Sequence, residues 1–176
     1  SGSFFVTLYI NHWSGGPSLM IVTGEIITMQ ILVTGEQMKQ LDQATIQTMG
    51  IPSLVLMERA ALAVFDCLKQ HFSLKKTLVV CGSGNNGADG MAVARLLHLA
   101  GYSVDLYLAG NPASFTEEMK IQWQAAENYQ VSIVNNCRFS EYTTIVDALF
   151  GVGLSRELSG KYQTLVDSIN ASGVPV

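Results

Sequence analysis

The chain has 176 residues, a formal net charge of −4, 48% apolar residues and only 14% charged ones. That length suits a single domain able to bury roughly 70% of its unfolded surface without disulfide or metal staples. The mild acidity and the lack of any basic run exclude a nucleic-acid-binding face, and the shortage of charge, against a usual ~25%, points to an α/β domain whose sheet is covered on both sides.

Residues 1–28 carry one charge, Glu25, and no Lys or Arg. A secretory leader needs a positive start and an unbroken apolar middle; residues 4–10 are apolar, but a polar, Gly-Pro-rich stretch follows at once. These 28 residues read as an extension outside the core, with the organised domain running from Met29 to Val176. Thr34 and Gln37 have capping-box spacing. Met38, Leu41, Thr45 and Met49 then recur at helical period, with Met38 expected in the core. Gly50, Ile51 and Pro52 stop that helix. Ser53 is expected to cap the next, residues 54–70, which is apolar round much of its circumference and so expected to be well buried, Met57 included. Glu58, Arg59 and Asp66 interrupt this stretch, and no other is long enough to span a bilayer.

Residues 77–81 read as a strand. Gly82-Ser83-Gly84-Asn85-Asn86-Gly87-Ala88-Asp89-Gly90 follows, opening a helix from about residue 88 to 100 that Gly101 closes as a left-handed cap. A glycine turn between strand and helix presents free backbone N–H groups and the positive end of the helix dipole, which favours phosphate. Gly82, Gly84 and Gly87 fit G-x-G-x-x-G, a pattern that serves a tight turn as readily as a nucleotide site. The carboxamides of Asn85 and Asn86 and the carboxylate of Asp89 sharpen it, since they can recognise sugar hydroxyls or a cation. Asp89 reads equally as a carboxylate interacting with the helix dipole.

A second strand is expected over 103–108 and a turn at Asn111-Pro112. Ser114-Phe115-Thr116-Glu117 is a capping box for a helix to about residue 128, with Trp123 in its packing. Short strands at 131–134 and 143–147 flank a loop. A last helix starts at Ser159 or Gly160, and residues 174–176 look like the start of another strand. Strand and helix alternate, which gives a parallel sheet with right-handed crossovers. Cys67, Cys81 and Cys137 are odd in number and far apart, as free thiols of a reducing, cytoplasmic compartment would be. His12, His71 and His98 share no metal-ligand spacing.

The loop after the 143–147 strand is also glycine-containing. Asp147 ends that strand, so it lies on the same sheet edge as the 82–90 loop, where open α/β sheets bind ligands. Gly151 and Gly153 allow close backbone approach, and Arg156 offers a planar fork to a phosphate. The plainer alternatives are that Asp147 caps a turn, that Arg156 pairs with Glu157 on the surface and that the glycines only shape the loop.

Taken together, residues 33–38, 50–61, 82–90 and 146–154 with Arg156 resemble the NAD(P)H-hydrate epimerase family, the YjeF N-terminal domain family. The resemblance implies a three-layer α/β/α Rossmann-like fold with a mostly parallel sheet. It implies an isomerase of nicotinamide-cofactor repair that interconverts the R and S forms of hydrated NADH and NADPH. Asn85, Asn86, Gly87, Ala88 and Asp89, with Gly151, Val152, Gly153, Leu154, Ser155, Arg156 and Glu157, would contact that substrate. Asn86 and Asp147 would hold a potassium ion, a hard cation suited to oxygen donors. A nucleotide-dependent dehydratase, separate or fused, and a homodimer are further implications. Ala88 and Val152 stand where the family usually has glycine and threonine. The family continues with a strand ending Asp-Ile-Pro-Ser-Gly, so the resemblance implies a domain short at its carboxyl end, its main acid–base carboxylate beyond Val176 and Asp89 the catalytic candidate within the chain. Two other readings stand beside this one. A nicotinamide-dependent oxidoreductase would use Asp105, about 20 residues past the glycine turn, on the ribose, although Asn85-Asn86 and Asp89-Gly90 are foreign to its fingerprint. A non-catalytic Rossmann-like binding or scaffold module would not need both loops.

Overall fold

The structure is a computed structural model that describes residues 19–22, 25–28, 34–151, 154 and 157–176. These fall into two compact units that divide between Ile51 and Pro52. In the first, β1 (Leu19–Val22) and β2 (Glu25–Thr28) pair antiparallel, Leu19 opposite Thr28. Helix α1 (Gly35–Gln47) opens with the expected capping box. The Gln37 N–H donates to Thr34 Oγ1 at 3.2 Å, and the Thr34 N–H donates to Gln37 Oε1 at 2.8 Å. No residue of α1 is buried, however, and Met38 is only half-buried, so it is not the core residue its period suggested. The helix carries too few apolar side chains for a face wide enough to be enclosed.

In the second unit, α2 (Ser53–His71), β3 (Thr77–Cys81), α3 (Asn85–Leu99), β4 (Val104–Leu108), α4 (Glu117–Asn128), β5 (Ser132–Val134), β6 (Thr144–Ala148) and α5 (Gly160–Ala171) follow in turn. The four strands form one parallel sheet in the order β5-β4-β3-β6. Central β3 is buried throughout. Its residues alternate between faces as strand geometry requires. Val79 and Cys81 join the core under α3, and Leu78 and Val80 join the core that takes in Ile169 of α5. Helices α2, α3 and α4 therefore lie on one face and α5 on the other, which makes three layers.

Helix α3 is the inner helix, packed between α2 and α4. That leaves α2 outermost, and only Met57, Ala61 and Leu68 of its residues are buried. Val55 and Leu62 stay 46% and 43% exposed, so the broad apolar circumference does not translate into full burial. Nor does Ser53 cap α2: Pro52 occupies that position, and the Ser53 hydroxyl donates to Glu118 Oε1 at 2.8 Å. The cap of α4 is Thr116, whose Oγ1 accepts from Met119, while Ser114 closes a short 3-10 turn, Pro112–Ser114.

Helix α3 starts at Asn85, three residues before the expected 88, so the true loop is Gly82 to Gly84. Glycine makes this possible at Gly87. A Cβ there would overlap the Gly82 carbonyl oxygen, so only glycine lets the helix start so close to the strand it follows. The chain runs from β3 outward through β4 to β5, then returns to place β6 on the other side of β3. The carboxyl ends of β3 and β6 thus flank a topological switch point, where such sheets open a crevice.

Candidate active site at the switch point

Backbone ladder bonds bring the two loops together. The Gly82 N–H donates to the Ala148 carbonyl at 3.0 Å. A Cβ on Gly82 would overlap the Leu149 carbonyl oxygen, so the strand ends are as close as backbones can lie. Next, Asn86 Nδ2 donates to the Phe150 carbonyl at 3.1 Å. That bond fixes the carboxamide and leaves Oδ1 as an acceptor. A Cβ on Gly151 would stand 3.4 Å from that of Asn86, so the second loop passes directly over this side chain. Asp147, exposed at the end of β6, accepts the Leu149 N–H through Oδ1 at 2.9 Å. It does cap the turn after its strand, and one carboxylate oxygen can still serve another partner.

Helix α3 opens on Gly84 with no side-chain cap. The N–H groups of Asn85 and its neighbours thus lack intrahelical acceptors and face the crevice with the positive end of the dipole. Asn85 is exposed and Asn86 half-buried. Gly87 and Ala88 are buried, and the Ala88 methyl joins the core while its N–H donates to the Gly84 carbonyl at 3.1 Å. Asp89 lies half-buried one turn into the helix. In the second loop, exposed Leu154 donates its N–H to the Gly151 carbonyl at 3.2 Å, and Glu157 is exposed. Val152, Gly153, Ser155 and Arg156 lie outside the described residues.

The segment after β4 forms a third wall, which sequence reasoning did not single out. Ala109 donates its N–H to the Cys81 carbonyl at 2.9 Å, and Thr116 donates to the Ser83 carbonyl at 3.3 Å. The Ser83 and Ser114 hydroxyls share a hydrogen bond of 3.0 Å. From the α5 side, Lys161 Nζ donates to the Ala109 carbonyl at 2.9 Å. The Tyr162 ring meets Phe150 edge-on at 5.0 Å between centroids. A lysine in the first turn of a helix opposes the dipole, and that was the available signal.

Cys81 lies under the loop but offers no nucleophile. Burial, then the Asp147 charge, pushes its thiol far above the ordinary 9.0. The structure also corrects the place of Asp105. It sits early in β4, with its two oxygens accepting from Ser132 Oγ at 2.6 Å and Tyr142 Oη at 2.8 Å. It faces a different concavity of about 570 Å³, shared with Lys76, Cys137, Arg138 and Glu141. An acid so occupied, away from the carboxyl ends of the strands, does not serve a ribose in the crevice.

An anion fits the uncapped start of α3, and a hard cation fits the oxygen set beside it. Asn86 gives one amide hydrogen to Phe150, a bond that orients the carboxamide, and its oxygen can accept or ligate. Asp147 has an oxygen beyond the one on Leu149. Potassium, which takes uncharged and anionic oxygens alike, suits such donors.

Residues 53–176 match the family described as YjeF-related protein N-terminus. Among curated relatives, the NAD(P)H-hydrate epimerase of Oenococcus oeni is 50% identical over 149 residues, spanning 83% of this chain and 71% of the relative. The enzyme of the same name from Limosilactobacillus reuteri is 47% identical over 148 residues, spanning 82% of this chain and 70% of its own. The solved structure of the yeast protein ynu0 superposes with a TM-score of 0.71 at 23% identity, covering 81% of this chain and 66% of that one. At that identity the likeness speaks for the fold alone.

Proposed function

The chain belongs to the family of YjeF-related N-terminal domains, and from that membership we propose that it is an NAD(P)H-hydrate epimerase, an isomerase interconverting the R and S forms of hydrated NADH and NADPH. The observation that carries this reading is the Asn86 bond to the Phe150 carbonyl. It ties a helix start suited to phosphate to the acid-bearing β6 loop at the switch point, where open α/β sheets bind dinucleotides.

The reaction needs little more than holding and proton traffic. The hydrated ring carries its hydroxyl on the carbon beside the ring nitrogen. The nitrogen lone pair expels that hydroxyl as water once it is protonated, leaving an iminium. A water then adds to either face and gives up a proton, so the number of atoms and electrons is unchanged and no hydride moves. Asn85 and the first N–H groups of α3 would hold the dinucleotide's phosphates. Asp89 is the catalytic candidate within this chain, a carboxylate able to take part in that proton transfer or to hold the ribose. Potassium would be held by Asn86 and Asp147, and it supplies positive charge that keeps the anionic dinucleotide in place. Gly151 to Glu157 would contact the substrate.

Further parts of the proposal are a nucleotide-dependent hydrate dehydratase that consumes the S form, a homodimer and residence in the cytoplasm. No helix among the described residues is long and apolar enough to cross a membrane. Unpaired Cys67, Cys81 and Cys137 accord with a reducing compartment.

Proton NMR of one purified epimer of hydrated NADH tests the function. With the protein present the R and S signals should reach their equilibrium ratio faster than in buffer. Substituting tetramethylammonium for potassium should slow that approach, and Asp89→Asn should slow it further. A folded protein that leaves the epimer ratio at the buffer rate would overturn the reading.

A further inference from the structure

The substrate proposed above carries two phosphoryl charges as hydrated NADH and a third phosphate as hydrated NADPH, yet the described walls of the crevice hold few cations. Lys120, in the first turn of α4, is paired with Glu117. Arg95 is paired with Glu58 on the far side of α3. Lys161 differs from both. Among the described residues no carboxylate pairs with it. Its ammonium is held at 2.9 Å by the Ala109 carbonyl and lies 4.8 Å from the centre of the Tyr162 ring.

Those two contacts fix where the charge sits. Ala109 follows β4 and is hydrogen-bonded to Cys81, the last residue of β3, immediately before the glycine loop. Tyr162 packs on Phe150, whose carbonyl holds Asn86. The Lys161 side chain therefore crosses the carboxyl end of the sheet from the β6 loop to the β4 loop, opposite the start of α3. An ammonium has three donors, and Ala109 uses one. The position is unfavourable for the isolated helix, since a cation in a first turn opposes the dipole. A mobile lysine there would be expected to swing into water. Lys161 is exposed, yet it is held back on the Ala109 carbonyl and the Tyr162 ring, neutral partners that leave its charge uncompensated.

We infer that Lys161 is a substrate-binding residue that receives a phosphoryl group of the hydrated dinucleotide across the crevice from α3. This rests on the epimerase reading. It assigns to α5 a part in recognition that neither glycine loop supplies. The contact is made in the ground state and the transition state alike, so it should act on binding rather than on turnover.

Binding of hydrated NADH, hydrated NADPH and the phosphate-free hydrated dihydronicotinamide riboside should be measured by calorimetry for the wild type, Lys161→Met and Lys161→Arg. Loss of a charge-assisted bond should weaken both dinucleotides about tenfold or more in Lys161→Met. Lys161→Arg should keep most of the affinity, the riboside should bind all three proteins alike, and the wild type's salt dependence should flatten in Lys161→Met. A larger loss with hydrated NADPH would assign the contact to the 2′-phosphate, and equal losses to the pyrophosphate. Unchanged dinucleotide binding in Lys161→Met, or an equal loss with the riboside, would overturn the inference while leaving the epimerase reading intact. A wild type that binds neither dinucleotide would overturn both. Should Lys161→Met fail to fold, the salt dependence of the wild type and the Arg variant decide: affinity indifferent to salt, or a loss in Lys161→Arg shared with the riboside, rejects a phosphoryl contact.

Discussion

The proposed function gives Asn86 two jobs with one carboxamide. Its nitrogen holds the β6 loop at Phe150, and in the proposal its oxygen would serve the cation. Substituting Asn86→Ala should therefore show two separable losses. Removing a single, half-buried hydrogen bond costs about 1 kcal/mol of stability, readable as a small drop in the urea midpoint. The approach to epimer equilibrium should slow far more than that loss explains, and it should no longer respond to exchange of potassium for tetramethylammonium. If turnover and its cation response survive in Asn86→Ala, the carboxamide is a loop tie and nothing else. For Asp147 the plain reading and the proposed one need not compete: the side chain caps its turn with one oxygen and still keeps another.

At the level of elements, the site depends on where α3 begins. That helix is held from outside by α2, and the strongest polar link between them is Glu58 with Arg95. The two ends are unequally exposed, 37% for Glu58 and 12% for Arg95. Losing the arginine leaves a carboxylate that water can reach. Losing the glutamate leaves a guanidinium held against the helix pair with no counter-charge. Glu58→Gln should accordingly destabilise more than Arg95→Met, on the order of 1–3 kcal/mol against about 1, after allowing for screening at the exposed end. Urea unfolding of both variants checks the order, and an Arg95→Met protein that is the less stable of the two would refute it.

The whole molecule has a pH limit written into its core. Burial raises the Cys81 thiol well above 9.0, helped by the Asp147 charge. Burial, then the hydrogen bond to Asp105 and neighbouring charge, raises Tyr142 well above 10.0. Both groups hold their protons longer folded than unfolded, so the folded state binds more protons over that interval. Their contribution is complete below pH 9 and is lost as the pH climbs beyond the unfolded values. Stability should fall above pH 9 by up to about 1.4 kcal/mol per pH unit for each group. Thermal melts from pH 7 to 11 measure it, and Cys81→Ala should remove the earlier part of the decline. The sequence by itself determined the order of elements from α1 onward, though not the β1–β2 pair, as well as the capping box at Thr34, the parallel α/β class and the two glycine loops, because caps, periods and turn residues act over a few positions. The tertiary structure alone decided that α3 starts at Asn85, that α1 and the outer side of α2 stay exposed, that Asp105 is consumed by Ser132 and Tyr142, and that Lys161 reaches the Ala109 carbonyl. Each of those depends on which surface meets which across dozens of residues, and burial of that kind leaves no mark in local spacing.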